Sequence, residues 1–203
     1  MTASSPHAAV GARAAFPWVT LVVALFAVGV AVWPGNTSAL EYERDAVRHG
    51  EWWRLWTSHF VHFGASHLIW NLAVLLPAAA WSERLSPQRA RLLLLLGPGF
   101  IGGALYILDP ALQRYAGLSG VAAALLAFLA LTQLSRGTSD RWFWAAVLLL
   151  LAVKVIAEFL AERPLFARFV EPGAYPVPLA HLVGIMAAGA AHTFGRRIQN
   201  RAR

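Results

Sequence analysis

The sequence predicts an all-α membrane protein, a bundle of six transmembrane helices with both termini in the cytoplasm. Of its 203 residues, 58% are apolar and only 13% are charged, against about 25% charged in ordinary soluble domains. The apolar residues form six runs, at about 17–33, 65–81, 90–108, 119–135, 142–160 and 177–194. Each run reaches the length of about 17 residues that a spanning helix needs. Low charge and six separated runs together predict the fold class.

Arginine residues at the edges of these runs predict the orientation. With the N-terminus in the cytoplasm, ten arginines fall on the inner side: Arg13, Arg84, Arg89, Arg91, Arg136, Arg141, Arg196, Arg197, Arg201 and Arg203. Six fall on the outer side: Arg44, Arg48, Arg54, Arg114, Arg163 and Arg168. Cytoplasmic segments carry the excess of positive charge, so this orientation is the predicted one.

Three segments are predicted along the chain. Residues 1–16 form a cytoplasmic tail, residues 17–195 form the membrane domain, and residues 196–203 form a basic cytoplasmic tail. The longest polar connection, about 34–66, mixes charges of both signs with Trp52, Trp53 and Trp56. Aromatic and charged residues in one segment are typical of chain that lies in the headgroup layer. We therefore expect an amphipathic outer loop.

Several functional classes are excluded or disfavoured. The net charge of +7 comes from arginines at helix ends, with no basic stripe among exposed aromatics, so we predict no nucleic-acid partner. The chain has no cysteine, which excludes disulfides and thiolate chemistry. A metal cluster of His59, His62, His67 and Glu51 is disfavoured because no H-E-x-x-H pattern exists, and no cofactor is expected. A transporter is disfavoured because the sequence indicates neither an internal repeat nor an interrupted pair of helices.

Ser119 occupies an unusual position for a hydroxyl. It lies in Gly117-Leu118-Ser119-Gly120, a short turn that leads directly into the fourth apolar run. A helix N-terminus offers unpaired backbone N–H groups and a positive dipole end, which suit an anion that forms on a neighbouring atom. Ser119 is therefore a candidate nucleophile. The alternative is that the two glycines only allow close helix packing.

Three further polar residues are expected at the same depth as Ser119. His181 lies at the start of the sixth span, and His67 and Asn71 lie in the first turns of the second span. All of these spans enter the membrane from the outer side. Ionisable groups inside spans are costly and are functional candidates by default. A single intramembrane histidine is more often a packing residue, but the set taken together favours catalysis.

Acyl transfer gives each of these residues a role. A neutral imidazole accepts the serine proton and later protonates the leaving amine, which suits His181. His67 and Asn71 are four residues apart on one helix face, where they would donate hydrogen bonds to the oxyanion with the Ser119 N–H. We expect no Asp or Glu near His181 at this depth. The sequence therefore predicts a Ser–His dyad and no triad.

These motifs resemble those of a known family, the rhomboid intramembrane serine proteases. The resemblance is carried by Trp53-Arg54, Thr57, His59, His62 and His67-x-x-x-Asn71, by Gly117-Leu118-Ser119-Gly120, and by Ala180-His181-x-x-Gly184. It implies a six-span rhomboid-like bundle in which Ser119 is the nucleophile, His181 the base, and His67 and Asn71 the oxyanion-side residues. Gly117 and Gly120 are implied to support the nucleophile, and Trp53 and Arg54 to be structural.

A subfamily is indicated by two more stretches. Gly50-Glu51-Trp52-Trp53-Arg54-Leu55 and Lys154-Val155-x-x-Glu158 look like those of rhombosortases. This resemblance implies a bacterial cytoplasmic membrane location, with the active site toward the outer leaflet. It also implies a membrane-anchored protein substrate with a C-terminal Gly-Gly segment and transmembrane helix, and transfer to a lipid amine after cleavage. Lys154 and Glu158 are expected to neutralise each other, with a substrate gate or headgroup site as the alternative.

Two departures from the family pattern affect the site. Ala123 stands four residues after Ser119, where rhomboids commonly carry an aromatic or imidazole side chain. The orientation of His181 is therefore expected to come from Tyr115, Tyr106 or packing. Small residues at Ala180, Gly184 and Ala188 replace a Gly-x-x-x-Gly face. The alternative functions are a general rhomboid protease for single-span proteins and an inactive relative that binds membrane proteins.

Overall fold

The structure, a computed structural model, describes residues 15–35, 37–137, 139–161 and 176–201. The predicted tail 1–16 lies outside the described residues except for Ala15 and Phe16. The last two residues of the predicted basic tail, 202–203, also lie outside them. Within the described part the chain is mostly helical.

The described elements follow one another in a simple order. The α-helices are α1 (Trp18–Val32), α2 (Arg44–Arg48), α3 (Arg54–Thr57), α4 (Ala65–Leu85), α5 (Pro87–Leu108), α6 (Ser119–Arg136), α7 (Arg141–Ala161) and α8 (Pro178–Arg201). Two 3₁₀ turns, Thr37–Ala39 and Ser58–Phe60, and two short strands, β1 (Tyr42–Glu43) and β2 (Arg114–Tyr115), lie between them. Each of the six predicted apolar runs forms one long helix, which confirms their positions.

Length and composition mark only some of these helices as membrane spans on their own. Among the described residues, α5, α6 and α7 are long and apolar enough to cross a bilayer. A fourth span results if α4 and the Arg54–Phe60 segment before it are taken together. At 15 residues, α1 is a shorter apolar helix. These helices fit an integral membrane protein, while the count of six spans stays a prediction.

The central helix of the bundle is α6. It packs against α4, α5, α7 and α8, and most of its residues are buried. Its sequence is rich in alanine, with Val121, Leu125 and Phe128 filling the spaces between neighbouring helices. Small residues let helix backbones approach closely in a membrane, where packing replaces the hydrophobic effect as the force between helices. Ser119, the first residue of α6, is therefore surrounded by the other helices of the bundle.

The predicted outer loop, about 34–66, is held in place by two buried arginines. Arg44 donates from Nε to the Leu112 carbonyl at 2.8 Å, and β1 pairs with β2 in antiparallel register, with Tyr42 opposite Tyr115. Arg54 bonds to the Glu51 carboxylate at 2.6 Å and to carbonyl oxygens of the loop, one of them that of Glu41 at 2.9 Å. Buried backbone carbonyls need such partners. These bonds attach the loop to the segment that leads into α6.

The end of this loop contains an interrupted pair of helices, which the sequence did not indicate. The Arg54–Phe60 segment and α4 meet at 95° across a break of four residues, so this region is an interrupted pair of helices. The turn is made at Gly64, which has a φ of +111° that residues with a Cβ rarely adopt. The aromatic run before Gly64 concealed the break, because it reads as part of an amphipathic loop.

A buried carboxylate closes the other end of α4. Glu83 is fully buried and accepts hydrogen bonds from the Thr20 backbone N–H at 3.0 Å and hydroxyl at 2.9 Å. It also accepts one from the Val19 N–H at 3.3 Å and pairs with Arg91 Nε at 2.8 Å. Glu83 thus satisfies free N–H groups in the first turn of α1. The contact joins α1, α4 and α5 far from Ser119.

Candidate active site

The turn before Ser119 requires glycine at position 117. Gly117 has a φ of +116°, and its backbone N–H donates to the Ser58 carbonyl at 3.0 Å. Its carbonyl accepts from the Tyr115 hydroxyl at 2.9 Å. No side chain caps α6, so the N–H groups of its first turn stay available. The turn is fixed from both sides and leaves backbone donors beside Ser119.

His67 and Asn71 lie against this turn, as the sequence predicted. A methyl group on Gly117 would lie 2.7 Å from His67 Nε2 and 3.3 Å from Asn71 Nδ2. The Phe63 N–H approaches His67 Nδ1 at 3.4 Å, which makes Nδ1 the acceptor and leaves the proton on Nε2. Asn71 Nδ2 is buried and has no hydrogen-bond partner among the described residues. Two N–H donors therefore border the turn that carries Ser119.

A close contact between α6 and α8 brings Ser119 and His181 together. A methyl group on Gly120 would lie 2.9 Å from the Ala180 carbonyl oxygen, and one on Gly184 would overlap the Gly120 carbonyl oxygen. Only glycine allows this approach of the two backbones. Ser119 immediately precedes Gly120, and His181 immediately follows Ala180. The contact therefore brings the backbones at these two residues close together, although they come from distant parts of the sequence.

The surroundings of His181 overturn one expectation from the sequence. We predicted no carboxylate near it, but Glu158 Oε2 lies 2.9 Å from His181 Nδ1, and both side chains are about 5% exposed or less. Glu158 lies near the end of α7, which leaves the bundle on the side where α8 enters. The polar residues predicted at this depth lie at the starts of helices on that side, whereas Glu158 lies near the end of a helix there. A dyad without a carboxylate is therefore the wrong description of this site.

Lys154 completes a cluster of three ionisable side chains. Its Nζ lies 2.9 Å and 2.8 Å from the two Glu158 carboxylate oxygens and 3.3 Å from His181 Nδ1. The predicted pairing of Lys154 with Glu158 is thus present in the structure. The pair is also directly attached to His181, which the sequence reading did not foresee.

The three proposed sources of His181 orientation can be compared directly. Tyr115 bonds to Gly117, and burial raises the pKa of its hydroxyl while the nearby Ser119 side chain opposes that rise. Tyr106 contacts Trp52 and lies under the Arg44 guanidinium. The direct partners of the His181 ring are Glu158 and Lys154. Tyr115 therefore contacts the turn that carries Ser119, and the Glu158 carboxylate contacts His181.

Trp53 and Arg54 take no part in this cluster. The Trp53 indole donates to the Ala39 carbonyl at 3.1 Å, and half of the side chain is exposed. Arg54 is buried among loop carbonyls, as described above. Both residues fasten the outer loop, which is the structural role that the resemblance implied for them.

The assembled groups can perform acyl transfer. Ser119 is half-buried, and its neighbours Leu118 and Gly120 are both buried. His181 Nε2 is buried without a hydrogen-bond partner among the described residues, as a resting general base would be. Donors from the start of α6, His67 and Asn71 border the same turn. A candidate nucleophile, a candidate base and candidate oxyanion donors thus lie close together.

Comparison with known proteins identifies the family. The Rhomboid domain model matches residues 49–197, which is more than half of the chain and includes Ser119, His181, His67, Asn71 and Glu158. "Putative rhomboid protease YdcA" of Bacillus subtilis (strain 168) is 31% identical over 116 residues, covering 52% of this chain and 57% of that relative. The aligned part is thus little more than half the length of the relative. The chain belongs to the rhomboid family of integral membrane proteins.

Proposed function

We propose that this protein is an intramembrane serine protease in which Ser119 is the nucleophile and His181 the general base. The observation that carries this proposal is the backbone contact of Gly120 with Ala180 and Gly184. It supports the pairing of a half-buried hydroxyl with an imidazole whose Nε2 has no other partner. The name of the Bacillus relative supports the same class of activity.

The reaction follows from the arrangement of these groups. Ser119 Oγ attacks the substrate carbonyl carbon while its proton moves to His181 Nε2. Backbone N–H groups at the start of α6, with His67 and Asn71, stabilise the oxyanion; each such donor contributes about 2.7–4 kcal/mol. Nε2 then protonates the leaving nitrogen, and an ester to Ser119 remains. Water or an amine attacks this ester, transfers a proton to Nε2, and returns Ser119 to its hydroxyl form.

The substrate class that we propose is a membrane-anchored protein with a C-terminal transmembrane segment and a Gly-Gly sequence before it. The residues that support it are the rhombosortase-like stretch 50–55 and the pair Lys154 and Glu158. A membrane lipid amine is the proposed acceptor. The second candidate is a general rhomboid protease, which the match to the Bacillus relative favours.

Labelling with a fluorophosphonate probe tests the activity. The purified protein in detergent should be labelled, Ser119→Ala should not be labelled, and His181→Ala should be labelled far more slowly. Ser135→Ala is the matched control, because Ser135 lies on the same helix but is exposed and bonds to the Thr132 carbonyl. Labelling that persists in Ser119→Ala would refute the assignment, and a folded protein without labelling would favour the inactive relative.

Two membrane-anchored substrates that differ only at Gly-Gly separate the substrate classes. A rhombosortase should cleave the Gly-Gly substrate and lose activity when both glycines are replaced by leucine. A general rhomboid protease should tolerate that replacement. Mass spectrometry of the new C-terminus distinguishes hydrolysis from transfer to an amine, because the amine product carries the added mass.

We further propose six spans with both termini in the cytoplasm of a bacterium and the active site toward the outer leaflet. The absence of cysteine allows single introduced cysteines to be located without background. Gln113 and Ser139 are exposed at opposite ends of α6. A membrane-impermeant maleimide should label Gln113→Cys but not Ser139→Cys in intact spheroplasts. The reverse result would invert the topology.

A further inference from the structure

The Glu158 carboxylate is buried in the bundle beside His181, at a position where packing alone would favour an apolar side chain. Four residues of α7 are buried, and Glu158 is the one of these that carries a charge. Burying a carboxylate is costly unless it is paired and hydrogen-bonded. Much of the remaining surface of α7 is exposed and apolar, as on a helix that faces lipid, so a carboxylate would be costly at any position along it. Its burial against His181 therefore calls for a reason in the chemistry of that ring.

The geometry fixes which nitrogen of His181 carries the proton. A lone pair on Nδ1 would face the Glu158 carboxylate at 2.9 Å, which is a repulsive arrangement. A proton on Nδ1 gives instead a short, charge-assisted hydrogen bond to that carboxylate. Lys154 is farther from Nδ1, at 3.3 Å, and lies within bonding distance of both Glu158 oxygens. Nδ1 is therefore the donor, and Nε2 keeps the lone pair that a base needs.

We propose that Glu158 is a positioning residue that makes the site a Ser–His–Glu arrangement. It holds His181 in the tautomer with Nε2 unprotonated, and it stabilises the imidazolium that forms when Nε2 takes the Ser119 proton. The Nδ1 proton stays on Nδ1 throughout, and Glu158 stays ionised. This inference rests on the proposed function, since it concerns the base of that reaction.

Lys154 explains how such a carboxylate is tolerated at this depth. An unpaired anion in a membrane interior is costly, whereas the ion pair with Lys154 carries no net charge. When the imidazolium forms, Glu158 lies between two cations and contacts both. The pair therefore keeps the resting site neutral and provides an anion at the moment when positive charge develops on His181.

The test removes the carboxylate together with its lysine partner, so that the double variant carries no unpaired charge. Lys154→Met provides the background, and Lys154→Met with Glu158→Gln removes the remaining charge while keeping the shape of the side chain. For both proteins, fluorophosphonate labelling of Ser119 is measured against probe concentration. This gives the rate constant at saturation and the half-saturating concentration.

We expect the rate constant at saturation to fall by about 100-fold or more in the double variant relative to its background, as general-base catalysis contributes about 10²–10⁴-fold. The half-saturating concentration should stay within about threefold, because probe access is unchanged. Equal rate constants in the two proteins, or a loss confined to the half-saturating concentration, would overturn the inference. Failure of the wild-type protein to label would instead remove the proposed function, and this inference with it.

Glu83→Gln is the matched control, because Glu83 is equally buried and ionic but binds α1 and Arg91. It should lower stability and leave the labelling rate of the folded fraction unchanged. A second measurement needs no variant at residue 158. The ¹⁵N NMR spectrum of the wild-type protein, assigned by comparison with His181→Ala, should show His181 protonated at Nδ1. A proton on Nε2 would contradict the proposal.

Discussion

Replacing Gly184 by alanine should separate Ser119, the proposed nucleophile, from His181, the proposed base, without changing either residue. The added methyl group would overlap the Gly120 carbonyl oxygen, so α6 and α8 must move apart. For comparison, a methyl group on Gly120 would lie 2.9 Å from the Ala180 oxygen, about 0.5 Å short of an ordinary contact of 3.4 Å. Because the Gly184 contact is closer still, the separation it requires approaches or exceeds 1 Å.

A displacement of that size has a known kinetic consequence. A misplacement of about 1 Å costs about 100-fold in rate, because the reacting atoms leave their near-attack geometry. We therefore expect fluorophosphonate labelling of Ser119 to slow by about 100-fold in Gly184→Ala. Gly120→Ala, which requires less movement, should slow it less. The protein should stay folded, since both helices keep their own hydrogen bonds and their other neighbours.

The same helix provides a matched control. Gly189 also lies in α8, and a methyl group there would meet nothing within 4 Å. Gly189→Ala should label as fast as the wild-type protein and gain slightly in helix propensity. The reasoning is refuted if Gly184→Ala labels at the wild-type rate, or if Gly189→Ala is slowed to the same extent. In either case the contact would not control the position of His181.

Three further predictions concern stability and the turn. Gly117→Ala should abolish labelling, because position 117 has a φ of +116° and the new methyl group would displace His67; labelling at the wild-type rate would contradict this. Glu83→Gln should lower the free energy of unfolding by about 3–5 kcal/mol, because it breaks a buried ion pair, and each kcal/mol lowers Tm by about 2–4 °C. Thermal unfolding in detergent measures this change, and an unchanged Tm would refute the pairing. Burial, aided by His67, lowers the pKa of His62 from 6.5 to about 3. As the pH falls below 6.5, the unfolded chain therefore binds a proton at His62 before the folded protein does, which favours unfolding. Tm should thus decrease as the pH is lowered from 6.5, and the decrease should be smaller in His62→Phe.

The helices could be predicted from the sequence because a membrane span needs a long run of apolar residues. The apolar run after the glycine turn correctly predicted that α6 begins at Ser119. The end of α8 was placed too early, at 194, because counting apolar residues cannot detect a helix that continues into polar sequence as far as Arg201. The bend at Gly64 was missed for a related reason. The aromatic residues near Gly64 are equally compatible with an amphipathic loop and with a short helix.

The site was predictable where residues lie on one helix or at the start of one. His67 and Asn71 share a helix face, and both lie against Gly117 as expected. The contact of Glu158 with His181 depends on how α7 packs beside α8, and helix packing cannot be read from the spacing within either helix. A usable signal did exist. Glu158 lies only three residues before the end of α7 on the side where α8 begins, so comparing the depth of helix ends as well as helix starts would have placed it near His181.

Ala123 and Glu158 are best understood together. The methyl side chain of Ala123 cannot hydrogen-bond to His181, whereas rhomboids commonly carry an aromatic or imidazole side chain at this position. In this chain the partner of His181 comes from α7 instead, through a hydrogen bond of 2.9 Å to Nδ1. Support from α6 would move with the nucleophile, whereas support from α7 depends on how that largely exposed helix packs. Placing histidine at position 123 should therefore partly restore labelling to the Lys154→Met, Glu158→Gln double variant if the missing function is orientation. No restoration would mean that the charge of Glu158 is what His181 requires.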